Sequence, residues 1–211
     1  MIFRYLYVTL GHTAAGKTSL SRFLLMNEKI KFEYIAEGEI KRSLVSDYST
    51  KDSLNENLRD QAYNKAIKEA QKHLYKTDVL IDASFHRLNR RQMVYEMLQN
   101  KLDNVQVIWL YCYCTNIDKI EDRIKRRKKQ RKTATTQADS MEIYKHIISG
   151  FDYPLISEIP ISICGAIIYI DSDKNVIDRI EYNNAQPSLR KKVEELREII
   201  DRYLSVWRKM S

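Results

Sequence analysis

Residues 11–18 read Gly-His-Thr-Ala-Ala-Gly-Lys-Thr, and this octet decides how the rest of the chain is interpreted. It fits the pattern G-x-x-x-x-G-K-[ST], in which the backbone N–H groups of a glycine-rich loop surround a polyphosphate. The flanking sequence agrees, because the apolar run Ile2–Leu10 suits a buried strand and Ser19–Met26 begins a helical pattern. The octet therefore predicts a strand, a phosphate-binding loop and a helix in that order.

The pattern also assigns a chemical role to its last two residues. Lys17 is expected to reach the β- and γ-phosphates of ATP, and the Thr18 hydroxyl is expected to bind Mg²⁺. The N-terminus of the following helix adds partial positive charge. The residues expected to contact the nucleotide are Gly11, His12, Thr13, Ala14, Ala15, Gly16, Lys17, Thr18 and Ser19.

Length, charge and cysteine content limit the class of protein. The 211 residues suit one domain with a small appendage, and the net charge of +8 permits an anionic partner without choosing one. No run of eighteen apolar residues occurs, so we expect no membrane span. The three cysteines lie in apolar, strand-like segments, which indicates free thiols in a reducing compartment and predicts a cytoplasmic protein.

Strand-like and helical patterns alternate along the chain. The predicted strands are 2–10, 32–36, 78–82, 105–112 and 166–170. The predicted helices are 17–27, 39–45, 52–75, 87–99, 117–131, 139–149, 175–180 and 188–209. This alternation predicts an α/β fold with a mainly parallel sheet that is covered on both faces. The carboxyl ends of the strands would then share one edge with the phosphate loop.

Two groups of charged residues follow the strands at that edge. Asp82 closes an apolar strand and suits a ligand of Mg²⁺ or of the substrate, although an N-cap role would also explain it. Residues 122–132 contain eight Lys or Arg in eleven positions. Within them, Arg123 and Arg127 lie four apart on one helical face and are expected to contact phosphate groups. The other basic residues would form a solvated face or a nucleic-acid patch.

These segments together resemble the phosphate-loop kinases grouped with the 5′-kinase domain of polynucleotide kinases, with zeta-toxin kinases as more distant relatives. The resemblance after the octet rests on Val79–Arg91, Val107–Cys112, Ile120–Arg127, Tyr144 with Phe151, Asp152 and Pro154, and Ile168–Ser172. It implies a P-loop NTPase three-layer α/β/α sandwich with a helical lid at about 116–150. Residues 1–183 would form an AAA-type ATP-binding kinase domain, and residues 184–211 a C-terminal helix packed on it.

The resemblance also implies roles for single residues. It places ATP on residues 11–18, lid contacts on Arg123 and Arg127, and an acceptor-site role on Asp82. Lys41 falls where the family often has an acceptor-binding Arg. His86, in the polar cluster after Asp82, is a second candidate for acceptor contacts.

One position departs from the family pattern. Gly38 stands where the family usually has an Asp that acts as the general base. Glu37 or Glu39 could serve instead, because a longer side chain reaches the same point. Phosphoryl transfer relies mainly on positioning and charge stabilisation, so a displaced base is compatible with activity. The predicted catalytic residues are therefore Lys17, Asp82, Arg123, Arg127 and either Glu37 or Glu39.

Two functions follow from these expectations. The first is an ATP- and Mg²⁺-dependent phosphotransferase, whose hydroxyl acceptor is either a polynucleotide 5′ end or a small molecule. The second is an ATP-binding switch or RNA-binding module without phosphotransfer, which the net charge of +8 and Gly38 favour. Neither function involves a membrane. The amphipathic C-terminal segment is compatible with a monomer or a homodimer.

Overall fold

The computed structural model describes residues 3–46, 49, 52, 54–101, 104–130 and 140–210. Within these ranges the strands are β1 (Arg4–Leu10), β2 (Glu33–Ala36), β3 (Val79–Asp82), β4 (Val105–Tyr113), β5 (Gly165–Asp171) and β6 (Val176–Asn183). The helices are α1 (Lys17–Leu25), α2 (Glu37–Ser43), α3 (Glu56–Leu74), α4 (Leu88–Lys101), α5 (Ile117–Gln130), α6 (Met141–Ser149) and α7 (Pro187–Met210). A 3₁₀ turn spans Ile156–Glu158.

The strands of this part of the chain form one six-stranded sheet in the order β2-β3-β1-β4-β5-β6. The first five of these are parallel to their neighbours, and β6 pairs antiparallel with β5. β1 lies in the interior, where Val8 pairs with Ile81 on one side and with Trp109 on the other. The predicted three-layer α/β/α sandwich with a mainly parallel sheet is confirmed, and all parallel strands end at the edge that carries the phosphate loop.

Alternate residues of each central strand supply two separate hydrophobic cores. One core packs β1, β3 and β4 against α3 and α4. Its members include Leu6, Val8, Tyr63, Ala66, Val94, Leu98 and Trp109. The other core packs the opposite sheet face against α1 and α7. Its members include Tyr7, Leu20, Leu24, Ile108, Leu110, Ile168, Leu196 and Ile200. Burial of both strand faces explains the continuous apolar runs in the sequence.

The last helix, α7, lies along the sheet with α1 as its neighbour. Its buried side carries Leu189, Val193, Leu196, Ile199, Ile200 and Leu204. Its opposite side carries charged residues such as Glu194 and Arg197, so the helix is amphipathic. Among the described residues, no helix is both long and apolar enough to cross a membrane.

The predicted helix at 175–180 is wrong, because this segment is the strand β6. Asn175 has a φ of 55°, in the left-handed region that Asn tolerates, and it turns the chain back so that Val176 pairs with Asp171. Ile177 and Ile180 pack against the core on the α1 and α7 face. A short hairpin therefore replaces the expected helix. The other predicted elements differ from the observed ones by a few residues at their ends, and the predicted helix ends at 131 and 139 lie outside the described residues.

A buried ion pair supports the loop that follows β3. Arg91 is fully buried, and its Nε and Nη2 donate to the two Glu158 carboxylate oxygens at 2.8 and 2.9 Å. Its Nη1 donates to the Phe85 carbonyl at 2.9 Å. This forked contact holds the β3–α4 loop against the 3₁₀ turn, and the same loop reaches the phosphate-binding residues.

Glu158→Ala should lower the free energy of unfolding by about 3 kcal/mol, because it leaves the buried Arg91 guanidinium without its counter-charge. Urea unfolding followed by circular dichroism measures this loss. Glu194→Ala is the matched control, because Glu194 forms an ion pair with Arg197 on the exposed side of α7. We expect a loss below about 1 kcal/mol for that control. Equal losses in the two variants would contradict a structural role for the Arg91 pair.

Candidate functional site

The octet forms the turn between β1 and α1. Gly11, Ala14 and Gly16 have φ values of 138°, 62° and 96°, all in the left-handed half of backbone space. A Cβ on Gly11 would lie 2.0 Å from the Cys112 carbonyl oxygen, so this position admits no side chain. The first turn of α1 begins at Lys17, and its N–H groups have no intrahelical acceptors. This geometry fits a loop that binds an anion through its backbone.

His12 fixes the loop to the end of β4. Its Nδ1 lies 2.7 Å from the Thr13 carbonyl, and its Nε2 accepts from the Cys114 N–H at 3.1 Å. A neutral imidazole with its proton on Nδ1 satisfies both contacts. Burial lowers the pKa of His12 to about 4, so the ring stays neutral at physiological pH. The neutral His12 ring therefore serves to hold the loop in place inside the protein.

Lys17 is the first residue of α1, and its side chain reaches back to the start of the loop. Its Nζ donates to the carbonyl oxygens of Gly11 at 2.9 Å and His12 at 2.7 Å. Burial lowers the pKa of Lys17 to about 8, while the negative charges of Asp82 and Glu37 oppose the shift. The ammonium group therefore lies in the electrostatic field of both carboxylates, and phosphate oxygens would stabilise its charge further.

Asp82 ends β3 beside the loop and is held by its neighbours. Thr9 donates its hydroxyl to Oδ1 at 3.1 Å, and Tyr34 donates its hydroxyl to Oδ2 at 3.0 Å. The Thr9 hydroxyl oxygen also accepts from the Ala83 N–H at 3.0 Å. These bonds fix the carboxylate between β1 and β2 with 8% of the residue exposed. Thr9 and Tyr34 were missed from the sequence, although both lie near the carboxyl ends of strands that flank β3.

Thr18 and Asp82 were predicted to hold Mg²⁺, and both line the cleft beside the loop. A hydroxyl and a carboxylate are oxygen ligands of the kind that Mg²⁺ takes, and this ion completes its shell with waters and substrate phosphates. No group of three or more His, Cys, Asp or Glu suited to a metal occurs in the part of the chain that the structure describes. The residues therefore fit an Mg²⁺ that arrives with a nucleotide.

The two predicted lid arginines both reach the loop from α5. Arg123 donates through Nη1 to the Ala14 carbonyl at 3.0 Å and to the Ser172 hydroxyl at 2.9 Å. Its Nη2 donates to the Ser172 carbonyl at 2.7 Å. Arg127 lines the cleft on one side of the loop and a second pocket on the other. Arg123 therefore joins the helix to the loop, and Arg127 lies between the cleft and the second pocket.

The cleft has a volume of about 340 Å³ and lies between α1, α2 and the end of β3. Its polar lining includes Lys17, Thr18, Arg22, Tyr34, Glu37, Glu39, Arg42, Asp82, Ser84 and Arg127. The two candidate bases differ in environment, because Glu37 is 4% exposed and Glu39 is exposed to solvent. Glu37 Oε1 is buried and accepts no hydrogen bond from any described residue.

The two predicted acceptor residues, Lys41 and His86, do not line the cleft. Lys41 is 1% exposed, and its Nζ lies 3.8 Å from Glu37 Oε1. His86 is fully buried beneath α3, where its Nδ1 lies 3.5 Å from Arg59 Nη2. Burial lowers the pKa of Lys41 to about 8 and that of His86 to about 2. The structure thus places Lys41 behind Glu37 and His86 in the protein interior, and their acceptor contacts stay a prediction.

The match to a known protein family agrees with this geometry. A model of an AAA domain family matches residues 6–145. The chain belongs to this family. No match was found among curated proteins. The expected AAA-type domain is confirmed, whereas membership of the polynucleotide kinase or zeta-toxin group stays a prediction.

Three solved structures share the fold at low sequence identity. A protein from Chloroflexus aurantiacus assigned as a kinase is 16% identical, with 82% of this chain and 90% of that chain covered and a TM-score of 0.59. Kti12 from Chaetomium thermophilum, in complex with ADP-AlF3, is 15% identical over 92% of this chain and 98% of its own, with a TM-score of 0.57. The Pnkp1/Rnl/Hen1 RNA repair complex contains a chain that is 13% identical over 72% of this chain and 48% of that one, with a TM-score of 0.51.

An ionic cluster joins α6, which follows the basic α5, to α3 and α4. Glu56 on α3 contacts Arg90 and Arg59, and it accepts a hydrogen bond from His146 Nε2 at 3.0 Å. Burial alone would raise the pKa of Glu56. The hydrogen bond from His146 and the arginine charges outweigh burial and hold the pKa at about 2. The carboxylate is therefore charged down to strongly acidic pH and binds the three helices together.

We expect the protein to lose stability as the pH falls from about 4.5 to about 2, in part through Glu56. Its folded pKa is depressed, so its contribution is complete above the unfolded value of about 4.5 and is lost as the pH falls through the folded value. Because Glu56 is partly exposed, we expect it to account for about 2 kcal/mol of that loss. Urea unfolding of the wild type and of Glu56→Gln at several pH values measures the difference. A constant difference between them would contradict the prediction.

Proposed function

We propose that the protein is a kinase that transfers the γ-phosphoryl group of ATP to a hydroxyl group bound in the cleft. One observation carries this proposal. The phosphate loop, with Lys17 and Arg127, opens into the same cleft as the buried carboxylates of Glu37 and Asp82. The AAA domain match and the shared fold of a protein assigned as a kinase support it.

The triphosphate would lie on the loop, with its charge stabilised by groups already in place. Loop N–H groups and the first turn of α1 would bind the phosphates through backbone dipoles. Lys17 would contact the β- and γ-phosphates, and Arg127 would contact the transferred group from the lid side. An Mg²⁺ held by Thr18 and Asp82 would neutralise phosphate charge when bound.

Glu37 is the better candidate for the general base. It lies in the cleft wall at the first position of α2, with Oε1 buried and Lys41 behind it. The carboxylate would accept the proton of the acceptor hydroxyl while that oxygen bonds to the γ-phosphorus. The bond between the γ-phosphorus and the bridging oxygen would break, and ADP would leave. A carboxylate at position 38 is then not required, since the preceding residue Glu37 supplies one.

The charges of the cleft favour an acceptor that carries an anionic group. Arg22 and Arg42 also line the cleft, and the chain has a net charge of +8. A polynucleotide with a 5′-hydroxyl meets this requirement through its first phosphodiester. A small phosphorylated or carboxylated alcohol meets it equally, and a cleft of about 340 Å³ would hold either end group.

An acceptor screen with γ-labelled ATP and Mg²⁺ tests the proposal. It should include 5′-hydroxyl RNA and DNA, nucleosides, and phosphorylated or carboxylated sugars. We expect label transfer to one class and a loss of at least about 100-fold in Lys17→Met, because that variant lacks the ammonium group at the phosphates. ATP binding without transfer to any acceptor, together with salt-sensitive RNA binding, would contradict the kinase and support the switch or RNA-binding alternative that Gly38 favours.

Glu37→Gln should lower the turnover number by about 100-fold or more with little change in ATP affinity, because the amide cannot accept a proton. Glu39→Gln is the matched control, since Glu39 lies two residues away and is exposed. We expect at most about a threefold effect in the control, by loss of one solvated charge. Steady-state kinetics and calorimetric ATP titration separate the two quantities. A larger loss of turnover in Glu39→Gln than in Glu37→Gln would reverse the assignment.

A further inference from the structure

A second pocket lies on the opposite side of the phosphate loop from the cleft. It has a volume of about 240 Å³ and lies between α1, α5, the β5–β6 turn and the C-terminal part of α7. The apolar and aromatic part of its lining consists of Ala14, Ala15, Leu20, Cys112, Ile170, Tyr203, Leu204 and Trp207. Arg126 and Arg127 belong to its rim on α5. No step of the proposed transfer reaction uses this pocket.

The pocket is continuous with the phosphate loop. Ala14, Gly16 and Ser19 line both the pocket and the cleft, and Arg127 also belongs to both. A nucleotide whose phosphates lie on the loop has its acceptor at the γ-phosphate end and its base at the other end. With the acceptor in the cleft, the base extends toward this pocket.

We propose that Trp207, supported by Tyr203, forms the aromatic surface on which the nucleotide base stacks. The C-terminal helix α7 would then contribute directly to nucleotide binding. This inference rests on the proposed binding of ATP to the loop. Aromatic side chains stack on any base through their π faces. Trp207 is 42% exposed, so a base that covers it would remove apolar surface from water.

Several contacts hold this part of α7 in position. The Tyr203 ring packs against Phe23 of α1 at 5.1 Å between centroids, and Trp207 meets Tyr203 edge-on at 6.1 Å. Leu204 is buried, and Arg208 Nε donates to the Asn175 carbonyl in the β5–β6 turn at 2.8 Å. The helix is thus attached to both sides of the pocket. The aromatic pair is therefore already arranged before a base arrives, and binding loses little side-chain entropy.

The test compares ATP with inorganic tripolyphosphate, which contacts the loop but carries no base. Trp207→Ala should raise the Kd for ATP by about tenfold, because stacking on an aromatic ring is lost. Its Kd for tripolyphosphate should stay within about twofold of the wild-type value. Val206→Ala is the matched control, because Val206 is the preceding residue, is 52% exposed and does not line the pocket. Trp207→Phe should keep most of the ATP affinity, since it retains a stacking face.

Fluorescence supplies an independent readout, because the chain has two tryptophans and Trp109 is buried in the core. ADP should change the emission of the wild type, and Trp207→Phe should remove that change while ADP still binds. Wild-type ATP affinity in both Trp207→Ala and Tyr203→Ala, in a protein that binds tripolyphosphate, would overturn the inference. If the wild type binds neither ATP nor tripolyphosphate, the proposed function itself fails.

Discussion

The close approach of Gly11 to the end of β4 is the constraint on which the site depends. Only a residue without a side chain fits there, since a Cβ would meet the Cys112 carbonyl at 2.0 Å. The Gly11 N–H donates to the Ser84 carbonyl at 3.0 Å, and His12 joins the loop to Cys114. The loop is therefore held by the ends of both strands that flank β1. Parallel pairing of β1 and β3 then brings Asp82 to the same place, where Thr9 donates a hydrogen bond to its carboxylate.

Charge is distributed unequally around this loop. Basic side chains reach the cleft from α1, α2 and α5, whereas its acidic side chains come from the end of β3 and the start of α2. Behind the acidic group, Lys41 and the arginines of α3 and α4 are buried with carboxylate partners. Buried ions of this kind add little net stability, because desolvation offsets their attraction. Lys41 lies 3.8 Å from Glu37, the α2 carboxylate that we propose as the base, whereas the arginines contact Glu56 and Asp60.

The sequence predicted the sheet and the phosphate loop because each depends on local pattern. Apolar runs mark strands that are buried on both faces. The octet specifies a loop whose glycines adopt positive φ values that other residues rarely take. It failed for β6, where a turn at Asn175 and pairing with β5 outweigh local propensity. It gave no sign that Lys41 and His86 would be buried, because their burial depends on how the helices pack. Trp207 and Tyr203 gave only an amphipathic signal, because their nearness to the loop arises from the docking of α7.

The contacts of Arg123 have a consequence for how the two lid arginines divide their roles. Its donors bind the Ala14 carbonyl and both the hydroxyl and the carbonyl of Ser172. With these hydrogen bonds, Arg123 fixes the distance between α5, the phosphate loop and the β5–β6 turn. Arg127, one helical turn further along, borders both openings beside the loop. Equal spacing in the R-x-x-x-R pair therefore does not give equal contacts, because Arg123 binds the loop and the β5–β6 turn whereas Arg127 lines the two openings.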